Sequence, residues 1–159
     1  MKNIAKKLFS TKFVGCGSVI PNQNIDNAEL GNIVETSDEW IRTRTGIQQR
    51  RILGSEESLI NLAAIAGKKA IDMAGWQLGE VDMIILATST PDDLFGSAAR
   101  VQAEIGTINA VAFDLTAACS GFLFALITAS RFIASGSMNK IVVIGADQLS
   151  SWVDWTDRR

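Results

Sequence analysis

Val111-Ala112-Phe113-Asp114-Leu115-Thr116-Ala117-Ala118-Cys119-Ser120-Gly121-Phe122 carries a short apolar run straight into the opening of a long helical pattern. A run like Val111 to Leu115 suits a buried strand. The pattern from Ser120 to Ser135 is apolar on nearly every face, so it reads as a helix buried on most sides. Cys119 sits at the junction. A helix N-terminus presents unpaired N–H groups and a partial positive charge, and both favour the thiolate, the reactive form of cysteine. Ala117, Ala118 and Gly121 are small enough to let backbone or substrate come close. Cys119 is therefore a candidate nucleophile. On this segment alone, an inert buried cysteine is the plainer alternative.

The same alternation repeats outward. Lys12 to Ile20 reads as a strand stopped by Pro21, with Cys16 as a packing residue near its end. Thr36-Ser37-Asp38-Glu39 reads as a capping box with Thr36 as N-cap, opening a short helix that carries Trp40 and Ile41. Ser55 to Ala74 is a helix with Leu59, Leu62, Ala63, Ala66, Ala70 and Met73 on one face. Val81 to Thr88, containing Met83-Ile84-Ile85-Leu86-Ala87, and Ile141 to Ala146 read as buried strands, with Ser97 to Ile105 a helix between them. Gly75, Gly106 and Gly136 stand where three helices stop, and Trp76 and Trp152 read as packing residues. Apolar strands alternating with helices predict an α/β fold with a mostly parallel sheet and flanking helices.

Composition narrows the function. The 159 residues fit one domain, and 47% hydrophobic residues can bury a core. Fifteen basic and seventeen acidic residues are spread along the chain without a basic stripe, so nucleic acid is not an expected partner. No unbroken apolar run suggests a membrane span, and residues 1–13 have no secretory core. The two cysteines have no metal-ligand spacing and suggest a reduced intracellular compartment. There is no histidine, so the commonest general base and metal ligand are both missing, and no metal is expected. The Trp-rich tail from Ser150 to Arg159 ends without a cap, which reads as a fold that continues.

Several motifs coincide in order. They are Thr36-Ser37-Asp38-Glu39-Trp40-Ile41, Thr43-Arg44-Thr45-Gly46-Ile47 with Arg50-Arg51, Ala87-Thr88-Ser89-Thr90-Pro91-Asp92-Asp93, Ala112-Phe113-Asp114-Leu115, Ala117 to Phe122, Gly145-Ala146-Asp147, and Trp155-Thr156-Asp157-Arg158. Together they resemble β-ketoacyl-acyl-carrier-protein synthase III, the condensing enzyme that starts type II fatty acid synthesis, over about Lys12 to Arg159. Pro91 to Ser97 and Trp152 to Trp155 resemble its cyanobacterial or plastid branch. The resemblance implies a thiolase-like fold of two similar α/β halves, usually paired into a homodimer. It makes residues 1–159 an incomplete N-terminal half and 1–11 an extension. It also implies that a second half supplies a histidine and an asparagine to complete a triad with the cysteine.

The resemblance assigns roles by position. Cys119 matches the nucleophile, taking an acetyl group from acetyl-CoA, with its own N–H in the oxyanion hole. Malonyl-acyl carrier protein would then lose CO2 and take the acetyl group. CoA enters as substrate, not as a resident cofactor. Trp40 matches the tryptophan against the CoA adenine, and Arg158 the arginine on the adenine's other face. Arg44 and Thr36 match residues near the CoA phosphates and pantetheine. Phe95 matches a residue that reaches into the partner subunit's acyl pocket; without dimerisation it is an ordinary loop hydrophobe. The expected location is the cytoplasm or a plastid stroma. Two alternatives stand beside this reading. One is a truncated, inactive segment that at most binds CoA or a partner half. The other is a thiol hydrolase or another acyltransferase, which the Thr36–Ile41 and Thr43–Ile47 motifs do not support.

Overall fold

A computed structural model describes residues 10–157. The chain forms two compact units. Of the described residues, one holds 10–19 together with 59–147; the other holds 20–58 together with 148–157.

The larger unit is a layered α/β structure. Its elements are α3 (Leu59–Ala74), β3 (Met83–Ala87), α4 (Ala98–Ile105), β4 (Val111–Leu115), α5 (Gly121–Ser135) and β5 (Ile141–Gly145), numbered along the whole chain. The sheet order is β4-β3-β5 and both pairings are parallel, with Met83 opposite Val111 on one side and Ile141 on the other. β3 is buried along its whole length because it has a strand on each edge and helices on both faces. Its side chains alternate between two cores. Ile84 and Leu86 pack with Ala63, Ala64, Ile71, Val101 and Ile105, whereas Met83, Ile85 and Ala87 pack with Ala125 and Ala129. Gly75, Gly106 and Gly136 end α3, α4 and α5 at φ of 68°, 92° and 76°, a left-handed turn that costs glycine nothing.

Several expectations need correction here. Lys12 to Ile20 is not a strand: it has no ladder partner among the described residues. It lies along α3 instead. Carbons added at Gly15 and Gly17 would collide with the carbonyl oxygens of Ala70 and Ala66, so only glycine permits the approach. Cys16 is exposed, its Sγ 3.7 Å from the Met73 sulfur. α3 starts at Leu59, not Ser55, and its buried face is Ile60, Ala63, Ala64, Gly67 and Ile71, while Met73 is exposed. α5 is buried only along Gly121, Ala125 and Ala129, since only its sheet-facing side is covered. Phe122, Leu123, Phe124 and Ile127 are exposed. By length and composition alone Ala118–Ser135 would pass for a membrane span, yet its small-residue face packs on β3. β4 is half-exposed because it is an edge strand. Trp152 is exposed, whereas Trp76 packs on the core.

The smaller unit holds β1 (Gln23–Asp26), α1 (Asn27–Gly31), α2 (Asp38–Thr45) and β2 (Gln49–Ile52). β1 and β2 pair antiparallel, with Gln23 opposite Ile52. The N-cap of α2 is Ser37, not Thr36: its hydroxyl accepts the Trp40 N–H at 3.1 Å. Asn27 is almost fully buried and ties the unit together. Its amide donates to Asp38 Oδ1 (2.8 Å) and to the Ile47 carbonyl (2.9 Å), and its carbonyl accepts from Arg50 Nη2 (2.8 Å).

At the bottom of the larger unit, Glu80 bonds Lys140 and accepts the Gln77 N–H. The Lys140 bond, more than the Gln77 N–H, holds the Glu80 carboxyl below its ordinary value of 4.5. A lowered folded pKa stabilises above the unfolded value and is lost as pH falls through the folded value. Thermal unfolding of wild type and Glu80→Gln should therefore differ at neutral pH. The two should converge on acidification below 4.5. A difference that persists at the acid end would contradict the assignment.

Candidate functional site

All three parallel strands of the larger unit end at one rim, the side of an open α/β sheet where ligands characteristically bind. The β4 end delivers Cys119. After Leu115 the backbone turns sharply: Ala117 has φ −153° and ψ 39°, and Ala118 has φ 45°. Ala118 is the single non-glycine residue with positive φ among those described. An L-residue there costs about 1–2 kcal/mol, and alanine bears it with the smallest Cβ available. A 3₁₀ turn, Ala118–Ser120, then runs into α5 at Gly121. Cys119 thus sits two residues ahead of the first α-helical residue, in the turn and not in the helix itself. Its thiol is free and exposed.

Two neighbours hold this turn in place. The Thr116 hydroxyl donates to the Thr88 carbonyl at 2.8 Å, and the Thr88 N–H donates to the Leu115 carbonyl at 3.2 Å. A carbon added at Gly121 would already stand 3.5 Å from Ala87 Cβ, so α5 begins tight against the end of β3. From the β5 end, the Asp147 carboxylate accepts the Ser89 N–H (2.7 Å) and the Thr88 hydroxyl (3.3 Å). Asp147 and Thr116 are scaffold residues to which the sequence alone assigns no role. An acidic residue directly after an apolar strand, level with a Thr-Ser-Thr loop, was the available signal.

A cavity of about 1150 Å³ opens beside this rim. Cys119, Ala118 and Phe122 line one part of it, and Asp147 another.

Phe95 lies on the loop before α4 and is almost wholly exposed, like Leu94. That loop is rigidly tied at its base. Asp114 on β4 accepts the N–H groups of Ser97 and Ala98, both at 3.1 Å, capping α4 from the neighbouring strand. Gly96 has φ 84°, and a side chain there would collide with the same carboxylate. Asp114 therefore anchors both the Phe95 loop and the strand that leads to Cys119.

The remaining candidates belong to the smaller unit. Trp40 and Arg44 lie one turn apart on α2, and the Arg44 guanidinium stands 4.6 Å from the Trp40 ring centroid. This makes a partly exposed flat platform with a positive charge on it. The resemblance implies Arg44 at phosphate and Arg158 in the stack; the arginine on the Trp40 ring is Arg44. Arg158 lies outside the described residues. Thr36, relieved of capping, is half-buried just before α2. Cys119 and Phe95 thus share one unit and Thr36, Trp40 and Arg44 the other.

The family model for 3-oxoacyl-[acyl-carrier-protein (ACP)] synthase III matches residues 113–159. A β-ketoacyl-[acyl-carrier-protein] synthase III of Prochlorococcus marinus (strain NATL2A) is 63% identical over 147 residues, covering 92% of this chain and 44% of the relative. One from Synechococcus elongatus is 60% identical over 146 residues, covering 91% and 44%. Among solved structures, 3-oxoacyl-[acyl-carrier-protein] synthase III from Aquifex aeolicus VF5 superposes with a TM-score of 0.90 at 48% identity, over 93% of this chain and 48% of that one. The priming β-ketosynthase of the R1128 polyketide pathway also gives 0.90, at 32% identity. The chain spans about half the length of the relatives it matches.

Proposed function

We propose a function from one premise: this chain resembles, in sequence and in its thiolase-like fold, the N-terminal half of β-ketoacyl-[acyl-carrier-protein] synthase III. On that premise it carries the acyl-accepting part of an initiating condensing enzyme. Residues 1–159 are the incomplete first half, and 1–11 an extension. The observation that carries the reading is the exposed Cys119 thiol, held in a strained turn between the end of β4 and the start of α5.

The chemistry is acyl transfer. The Cys119 thiolate attacks the thioester carbonyl of acetyl-CoA; a carbon–sulfur bond forms, the CoA thiolate leaves, and Cys119 becomes acetylated. In the second step malonyl-acyl carrier protein loses CO2. The carbanion attacks the acetyl carbonyl and expels the Cys119 thiolate, giving acetoacetyl-acyl carrier protein. The Cys119 N–H serves the developing oxyanion. The Trp40 indole and the Arg44 guanidinium receive the adenine and phosphate end of CoA, and the family resemblance adds Thr36 and Arg158 to the CoA contacts. Phe95 reaches the acyl pocket of a partner subunit in a homodimer. Decarboxylation draws on a histidine and an asparagine of a second half; this chain has no histidine. The setting is the cytoplasm or a plastid stroma, with no resident cofactor.

The bare outer face of α5 favours a second reading: a truncated, inactive segment that at most binds CoA or a partner half. Mass spectrometry after incubation with acetyl-CoA tests both. The expected result is one acetyl group on the wild-type chain, none on Cys119→Ala, and no acetoacetyl product when malonyl-acyl carrier protein is added. A folded wild-type chain that stays unmodified, or an alanine variant acetylated equally, overturns the acyl-transfer role.

A further inference from the structure

Thr88 is the first residue beyond β3, and it is held from two sides. Its peptide groups grip the chain that leads to Cys119. The Thr88 N–H donates to the Leu115 carbonyl at 3.2 Å, and the Thr88 carbonyl accepts the Thr116 hydroxyl at 2.8 Å. Asp147 grips Thr88 in turn. One oxygen of that carboxylate, Oδ1, accepts the Ser89 N–H at 2.7 Å, the Thr88 hydroxyl at 3.3 Å and the Thr90 hydroxyl at 3.5 Å. Thr88 and Thr90 are buried, so these bonds are shielded from water and correspondingly strong. Asp147 is fixed at its own base, because the Ala146 N–H still donates to the Ala87 carbonyl at 3.0 Å. The path from Asp147 through Thr88 to Thr116 is therefore continuous, and it ends just before the cysteine turn.

That turn needs a hold. Ala118 at φ 45° is in a conformation that an L-residue leaves unless its surroundings over-determine it. The peptide between Ala118 and Cys119 carries the Cys119 N–H, which has no hydrogen-bond acceptor among the described residues. In acyl transfer this N–H serves the developing oxyanion, and it does so only while its direction is fixed in advance. The Cys119 thiol needs less precision, since it can displace a leaving group from saturated carbon in several rotamers. A slackened turn thus harms attack at a carbonyl far more than simple alkylation.

We propose that Asp147 is a positioning residue for Cys119: through the Thr88 peptide it holds the Thr116–Ala118 turn in the strained form that aims the Cys119 N–H at a developing oxyanion. This role presupposes acyl transfer at Cys119 but not CoA as the donor. The carboxylate acts as a fixed acceptor. It touches no substrate and moves no proton, so a neutral acceptor of the same shape serves nearly as well.

The test compares two reactions at Cys119 in the whole 159-residue chain, with the exposed Cys16 of the same molecule as internal reference. p-Nitrophenyl acetate acetylates a thiolate through an oxyanion: sulfur adds to the ester carbonyl, and p-nitrophenolate leaves as the thioester forms. Iodoacetamide alkylates by displacing iodide and forms no oxyanion. Peptide mass spectrometry reads each cysteine separately. In the wild-type chain Cys119 should be acetylated faster than Cys16. Asp147→Ala and Thr116→Val should each lower that preference about tenfold, less than the roughly hundredfold or more lost when an oxyanion donor is removed outright. Alkylation of Cys119 relative to Cys16 should change less than about twofold. Asp147→Asn keeps the Oδ1 acceptor and should stay within about threefold of wild type. The two losses should not add: the Asp147→Ala, Thr116→Val double variant should match the worse single variant, because both act through Thr88. Equal acetylation of the two cysteines in wild type would mean that no N–H is aimed. Additive losses would mean that Asp147 does not act through Thr88 and Thr116. A parallel fall in alkylation would mean a general loosening of the fold. A loss in Asp147→Asn as deep as in Asp147→Ala would mean that the charge matters and not the hold. Each of these overturns the assignment. CoA as donor fails separately, if the wild-type chain takes acetyl from p-nitrophenyl acetate and none from acetyl-CoA; the role of Asp147 then stands.

Discussion

An Ile85→Ala chain is expected to lose about 3 kcal/mol of stability, a little over a hundredfold in the folding equilibrium. Ile85 has no exposed surface. It lies at the middle of β3, opposite Phe113 on β4 and Val143 on β5, and it points at the face of α5 made of Ala125 and Ala129. Those residues are small and unable to swing into a hole. Both neighbouring strands are fixed by ladder bonds. The cavity left by three missing carbons therefore stays open, and the cost falls inside the range seen for isoleucine truncated in a rigid core. Val111→Ala is the control. Val111 is half-exposed on the edge strand, and its truncation should cost within about 0.5 kcal/mol. Urea unfolding followed by circular dichroism measures both. Equal losses for the two variants would refute the picture of a rigid central strand.

The second large effect concerns the outer face of α5. Leu123, Phe124 and Ile127 are each roughly half exposed and adjacent, far from the scattered single apolar residues ordinary on a surface. The chain as it stands should bind a hydrophobic dye such as ANS strongly and melt over a broad range. Replacing the three together, Leu123→Lys, Phe124→Glu and Ile127→Lys, should lower dye fluorescence at least about threefold and reduce self-association. Helix content should hold, because lysine and glutamate are good helix formers and none of the three positions belongs to the buried face. A sharp cooperative melt of the unmodified chain without dye binding would show that this face is not a liability.

What was legible in the sequence was local. β3 could be read because five consecutive apolar residues have few alternatives, and three helix ends because glycine stands at each. The cysteine turn could be read from small residues placed between a strand and a helix pattern. What was not legible depended on neighbours. α5 reads as buried all round, but burial belongs to whatever packs on a helix, and here only the sheet side is packed. Lys12 to Ile20 has strand composition, but a strand exists only with a partner. Thr36 and Ser37 are adjacent hydroxyls, and Glu39 three positions after Thr36 completes the capping-box pattern; yet the helix starts at Asp38 and puts Ser37 at the cap. The β1–β2 hairpin escaped notice because twenty-two residues separate its strands and neither has a clear alternation. The contact between Trp40 and Arg44 was available from spacing alone, since residues four apart meet on a helix.

The order β4-β3-β5 has a consequence for how the chain is made. The central strand is the first of the three to leave the ribosome, and both of its partners come later. Met83 waits 28 residues for Val111 and 58 for Ile141. At roughly 5–20 residues per second, the fully apolar Met83–Ala87 spends about 3–12 seconds of synthesis without its second neighbour. Until α5 (Gly121–Ser135) is translated, part-way through that interval, α3 and α4 can cover one face only, the Ile84 and Leu86 side, and Ile85 stays uncovered. The nascent chain thus presents a sticky strand for a fixed period set by topology, and a holding chaperone would act in that interval.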